Sequence, residues 1–112
     1  MVAKRLLDRE DVYPDQPDNQ GFIPLLVAAF LGHESVVRQL LDRKDVDSDR
    51  PDNEGHTPLS GAALSGHELV VKQLLYQEDV DPDKPDNEGK TPLSWAAIAG
   101  HQSVVKKFLD RK

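Results

Sequence analysis

The chain has 112 residues, which points to one domain with a modest core. Twenty acidic residues against fourteen basic ones leave a net charge of −6, which repels phosphate backbones and argues against nucleic acid as a partner. With no cysteine there is no disulfide framework, thiolate metal site or cysteine nucleophile, and no run approaches the ~20 apolar residues of a membrane span.

In chain order, Met1 to Asp8 lacks the long apolar region of a secretory signal. Residues 2–9 read instead as the second helix of a repeat whose first helix is missing. Leu6-Leu7-Asp8-Arg9-Glu10-Asp11-Val12 matches Leu40-Leu41-Asp42-Arg43-Lys44-Asp45-Val46. A turn follows at Pro17-Asp18-Asn19-Gln20-Gly21. It returns as Pro51-Asp52-Asn53-Glu54-Gly55 and Pro85-Asp86-Asn87-Glu88-Gly89, at intervals of 34. Thr57-Pro58-Leu59-Ser60 recurs as Thr91-Pro92-Leu93-Ser94. Gly-His recurs at 32–33, 66–67 and 100–101, each time with a Val-Val pair after it. Internal periodicity of this kind marks a stacked repeat architecture.

Each unit predicts two helices. Threonine is a good N-cap, and proline suits the first helical position, where its missing N–H would be unpaired anyway. A first helix therefore begins after Thr57 and runs through Leu59, Ala62 and Ala63 to Gly66, which is placed for a left-handed cap. A second helix follows His67, with Val70, Val71, Leu74 and Leu75 at helical spacing. The paired alanines allow a neighbouring helix to approach closely. Residues 78–89 are rich in turn formers, and Val80 is expected to tuck that loop onto the helices. One such helix pair cannot bury its apolar face alone, so the pairs must stack. The period gives a truncated unit over 1–17 and further units over 18–51, 52–85 and 86–112.

The pattern Asp-x-x-Gly-x-Thr-Pro-Leu-x-x-Ala-Ala-x-x-Gly-His-x-x-Val-Val, from Asp52 to Val71 and again from Asp86 to Val105, resembles the ankyrin repeat. The Asp-Val-Asp-Pro-Asp loop and the Pro-Leu-Ser-Trp-Ala-Ala run are similar to ankyrin arrays of large fungal multidomain proteins. The resemblance implies an all-α helix–turn–helix solenoid with projecting β-turn loops, and a concave face that holds other proteins. It also implies intracellular, cytoplasmic residence. Three departures stand out. The histidine usual after Thr-Pro-Leu is replaced by Leu26, Ser60 and Ser94, of which only the serines can make a local bond. Ile23 replaces the capping threonine in the first unit, a loss of about 0.5–2 kcal/mol that should make this unit the softest. The period exceeds the usual ~33 by a residue, placed in the loop before each turn. Neither end carries an obvious polar capping unit, as expected of a segment of a longer array or an engineered scaffold.

The positions variable in the family are the candidate partner-binding residues. At the turn tips they are Asn19, Gln20 and Phe22, then Asn53, Glu54 and His56, then Asn87, Glu88 and Lys90. On the first helices they are Phe30 with Leu31, Leu64 with Ser65, and Ile98 with Ala99. Phe30, Leu64 and Ile98 share one register position. They form either an exposed stripe that marks a binding surface or part of the core between units. Trp95 aligns with Val27 and Gly61, and the space at Gly61 suits an indole. Trp95 either packs the stack or forms a hot spot at an open end.

The loops Asp45-Val46-Asp47-Ser48-Asp49 and Asp79-Val80-Asp81-Pro82-Asp83 resemble the start of a calcium loop. They lack its sixth-position glycine and twelfth-position glutamate, so solvated turn carboxylates are expected. His33, His67 and His101 lie whole units apart, too far to share one zinc ion, and local bonding at each second helix is expected of them. Arg38, Lys72 and Lys106 recur on the outer face of the second helices. A cationic partner would be favoured on the acidic turn side. No catalytic residue, metal ligand or cofactor motif stands out, so the chain is expected not to be an enzyme. The reading is a module that binds a protein partner, with no role at nucleic acid or membrane, as a monomer or self-associating end to end. The alternatives are a structural spacer and a scaffold without a natural ligand.

Overall fold

Proline opens every first helix. In the computed structural model, which describes residues 23–111, α1 spans Pro24–Leu31, α3 spans Pro58–Ser65 and α5 spans Pro92–Ala99. The helix expected at residues 2–9 and the first turn tip lie outside the described residues. Thr57 caps α3 reciprocally: its hydroxyl accepts from Ser60 N–H at 3.2 Å, and its own N–H donates to Ser60 Oγ at 2.9 Å. Thr91 caps α5 through Ser94 N–H at 3.2 Å. Ile23 caps nothing with its side chain. It is buried instead, and it starts α1 with extended backbone geometry and Pro24 alone.

The first helices end at Gly32, Gly66 and Gly100, all left-handed with φ of 76–78°. The chain then reverses into α2 (Glu34–Leu41), α4 (Glu68–Leu75) and α6 (Gln102–Asp110). One or two valines and one large residue per helix are buried: Val36, Val37 and Leu40, then Val70, Val71 and Leu74, then Val104 and Phe108. Each fully buried Val or Leu contributes about 1.5–3 kcal/mol. First helices pack on first helices (α1 on α3, α3 on α5) and second on second, with Ala28, Ala29, Ala62 and Ala63 buried between them. The described residues contain no strand.

The histidines before the second helices behave differently from the sequence expectation. None caps its own helix. His101 reaches back to the preceding unit, where Nε2 lies 2.9 Å from the Leu64 carbonyl. The rings of His67 and His101 cover Gly32 and Gly66 so closely that a Cβ there would sit 2.6–2.7 Å from a ring atom. The rings therefore seal the joints between units. No described residue covers Gly100.

In the acidic loops Asp45, Asp47, Asp79, Asp81 and Asp83 are exposed as expected, and Asp49 departs from the solvated picture. Ser48 and Asp49 are buried, while Val80 is tucked inward as its apolar character predicts. Ser48 Oγ donates to Asp79 Oδ1 at 2.8 Å, Asp81 N–H donates to Asp49 Oδ2 at 3.1 Å, and Lys84 Nζ donates to the Asp49 carbonyl at 3.1 Å. Burial pushes the Asp49 carboxyl above its ordinary range, against the Asp81 N–H and Lys84, which favour its charged form. These loops staple successive units together. The same polar composition predicts exposed turns in a lone unit, so this role is created by stacking.

Candidate protein-binding groove

The groove is built from turn tips and first helices. At each described tip an aspartate organises the backbone. Asp52 Oδ1 accepts from the N–H groups of Glu54 and His56, and Asp86 Oδ1 from those of Glu88 and Lys90, all at 2.9 Å. Gly55 and Gly89 close the turns. Adjacent tips are tied in register, because Asn87 N–H donates to the Glu54 carbonyl at 3.0 Å and its amide donates to the Asn53 carbonyl at 3.1 Å.

The first helices present a row of apolar side chains beside these tips. Phe30 is 44% exposed, Leu64 37% and Ile98 62%, so this register position is open to solvent and does not complete the core. Val27 and Leu31 are also exposed. Phe30, Leu31, Leu64, Val27, Trp95 and His56 are among the residues that line a groove of about 430 Å³, within the ~300–1,000 Å³ of ligand-sized sites. Ser65 is half-buried at the end of α3. Asn53, Glu54, Asn87 and Glu88 are exposed at the tips, and Lys90 is half-buried. Asn19, Gln20 and Phe22 lie outside the described residues.

One end of the groove carries a charged cluster. The Asp86 side chain is almost fully buried, and its Oδ2 accepts from the Trp95 indole N–H at 2.8 Å and lies 3.3 Å from His56 Nε2. His56 Nδ1 is 3.6 Å from Asp52 Oδ2 and 4.0 Å from Glu54 Oε1. The imidazole meets the indole edge-on at 5.9 Å. Burial pushes the Asp86 carboxyl up, but the Lys90 N–H, the Trp95 indole, the Glu88 N–H and the nearby His56 outweigh it, so it lies below its ordinary range. Lys90 pairs with Glu88 at 3.2 Å, and its ammonium stands 5.5 Å from the Trp95 ring centre.

Trp95 is therefore neither a buried stack-filler nor a free end group: half-exposed, it helps wall the groove, fixed by Asp86. It does not supply the nearest contacts to the space at Gly61. The closest atoms to a Cβ built there belong to Phe30 and Leu26, at 3.5–3.9 Å. Sequence reasoning missed Leu26, Val27, Asp52, Ser60 and Gly61 as groove residues. The spacing Asp-x-x-Gly was visible, but only as turn chemistry. Asp52, Glu54 and His56 are the described residues with metal-ligand spacing, their ligand atoms within 4.8 Å of one another. The imidazole also lies against Asp86, and Glu54 is largely exposed, so the cluster is explained without an ion.

The sequence model of ankyrin repeats, in its three-copy form, matches residues 1–86 and 48–112 and so spans the chain. The chain belongs to the ankyrin-repeat family. No curated protein gives a significant match. Ankyrin repeats generally mediate protein–protein interaction and are typically non-enzymatic. In this ankyrin stack no described helix is long and apolar enough to cross a membrane.

Proposed function

We propose that this ankyrin stack is a protein-interaction module whose partner lies along the groove between the turn tips and the first helices. The observation that carries the reading is the exposed row Phe30, Leu64 and Ile98, rimmed by polar tips. An apolar surface of this kind is costly to leave in water and marks a contact site. The core of each unit lies on the other side of these helices, so the row serves no packing need there.

The test compares capture from cell extract by the chain and by a Phe30→Lys/Leu64→Lys/Ile98→Lys variant whose circular dichroism matches the parent. A partner held by the parent and lost by the variant supports the reading. Equal capture by both overturns it for this face.

A further inference from the structure

The groove is chemically lopsided, and this deepens the binding reading on which it rests. Of the four carboxylates at its tips, Asp52 and Asp86 are nearly buried and bonded within the tips, and Glu88 is engaged by Lys90, which leaves Glu54 as the exposed acid. In the neighbouring unit the lysine's place is taken by His56. The Glu54 carboxylate, 79% exposed, therefore meets among the described residues only a ring nitrogen 4.0 Å away. Beside this unbalanced acid lies a gap in the apolar wall. The register position filled by Val27 in one unit and Trp95 in another is Gly61 in the middle one, and all three residues line the same groove. A Cβ at Gly61 would meet Phe30 and Leu26 at ordinary contact distance, the nearest at 3.5 Å, so a methyl fits at this buried position, and no side chain rises from it into the groove that it lines.

We propose that the groove takes a basic protein segment with one large apolar side chain, the apolar group packing in the groove beside Gly61 and an adjoining lysine or arginine pairing with Glu54. Charge complementarity selects this occupant. An acidic segment would face like charges at both tips, and an uncharged one would leave Glu54 without a counter-ion beside an apolar contact. The chain's net charge of −6 adds long-range attraction of the same sign.

The test uses two synthetic peptides, Ac-Ser-Gly-Arg-Leu-Lys-Gly-Ser-amide and its counterpart with glutamate in place of arginine and lysine. Trp95, the one tryptophan, serves as the fluorescent reporter, and two-dimensional NMR confirms the binding face. The basic peptide is expected to bind at least about tenfold tighter at low salt, with the advantage shrinking as salt screens it. Gly61→Val should abolish that binding by filling the gap. Gly61→Ala, which favours the helix, should weaken it with the fold intact. Glu54→Lys, at an exposed site, should remove most of the preference for the basic peptide. Equal binding of both peptides overturns the proposal. So does unchanged binding by folded Gly61→Val or Gly61→Ala, or no binding of the basic peptide at millimolar concentration. If a captured partner is still lost on the three-lysine variant in those cases, this inference fails while the interaction reading stands.

Discussion

Repeat symmetry offers an internal control for the energy of a joint between units. Gly66 and Gly100 occupy the same place, with φ of 77° and 78°. An alanine at either position pays the same left-handed penalty, about 1–2 kcal/mol. Their surroundings differ. At Gly66 the new Cβ would lie 2.7 Å from the His101 ring, while at Gly100 it meets nothing within 4 Å. Gly66→Ala must therefore swing the imidazole away and break its 2.9 Å bond to the Leu64 carbonyl. A net hydrogen bond is worth about 0.5–1.5 kcal/mol, and lost ring packing adds to it. Gly100→Ala is thus expected to cost about 1–2 kcal/mol and Gly66→Ala about 1 kcal/mol more. Urea unfolding of both variants measures this, provided the slope with denaturant is unchanged, since repeat arrays can lose two-state behaviour. Repeating the pair in a His101→Ala background should erase the difference. Equal losses for the two glycines, or a difference that survives His101→Ala, would refute the claim that the histidine seals the joint.

Two further outcomes follow from the caps and the buried carboxylates. Thr57→Val keeps the shape but strips the acceptor from a buried Ser60 N–H, so a loss of about 1–2 kcal/mol is expected in the same unfolding assay; hydrogen exchange should also find the α1–α2 pair, which starts on Ile23, less protected than α3–α4. The Asp86 carboxyl lies below its ordinary range when folded, so its stabilisation is present above about pH 4 and is lost as pH falls through its folded value. Asp86→Asn should flatten that acid-side loss, and Trp95 emission should follow it in the parent. An unchanged acid slope in Asp86→Asn would count against this account. Asp49, raised by burial, works in the opposite sense and gains stability over part of the same descent.

Much of this fold was legible in the residues because its determinants are local. X-Pro starts, glycine stops and valine pairs at helical spacing mark out the six short helices of the described residues. The 34-residue period then requires stacking, because an isolated pair has nowhere to bury its apolar face. The candidate tip residues and the position shared by Phe30, Leu64 and Ile98 were likewise visible as register. Whether that position faced water or the core was not. A helix of eight residues that is apolar all round, such as α1, does not declare which side is covered.

Only the packed units decide the remainder. The partners of His101, Asp49 and Ser48 lie 31 to 37 residues away, and in the sequence each of these side chains reads as a local turn or cap group. Trp95 bonds Asp86 within its own unit, and it meets His56 across the joint, where Asn87 ties the tips in register. Gly61 becomes a gap only because larger side chains flank it in the units on either side. Local steric and capping preferences act within a few residues and can be read from the chain. Polar contacts across a joint exist only when the joint does, and their geometry belongs to the stack.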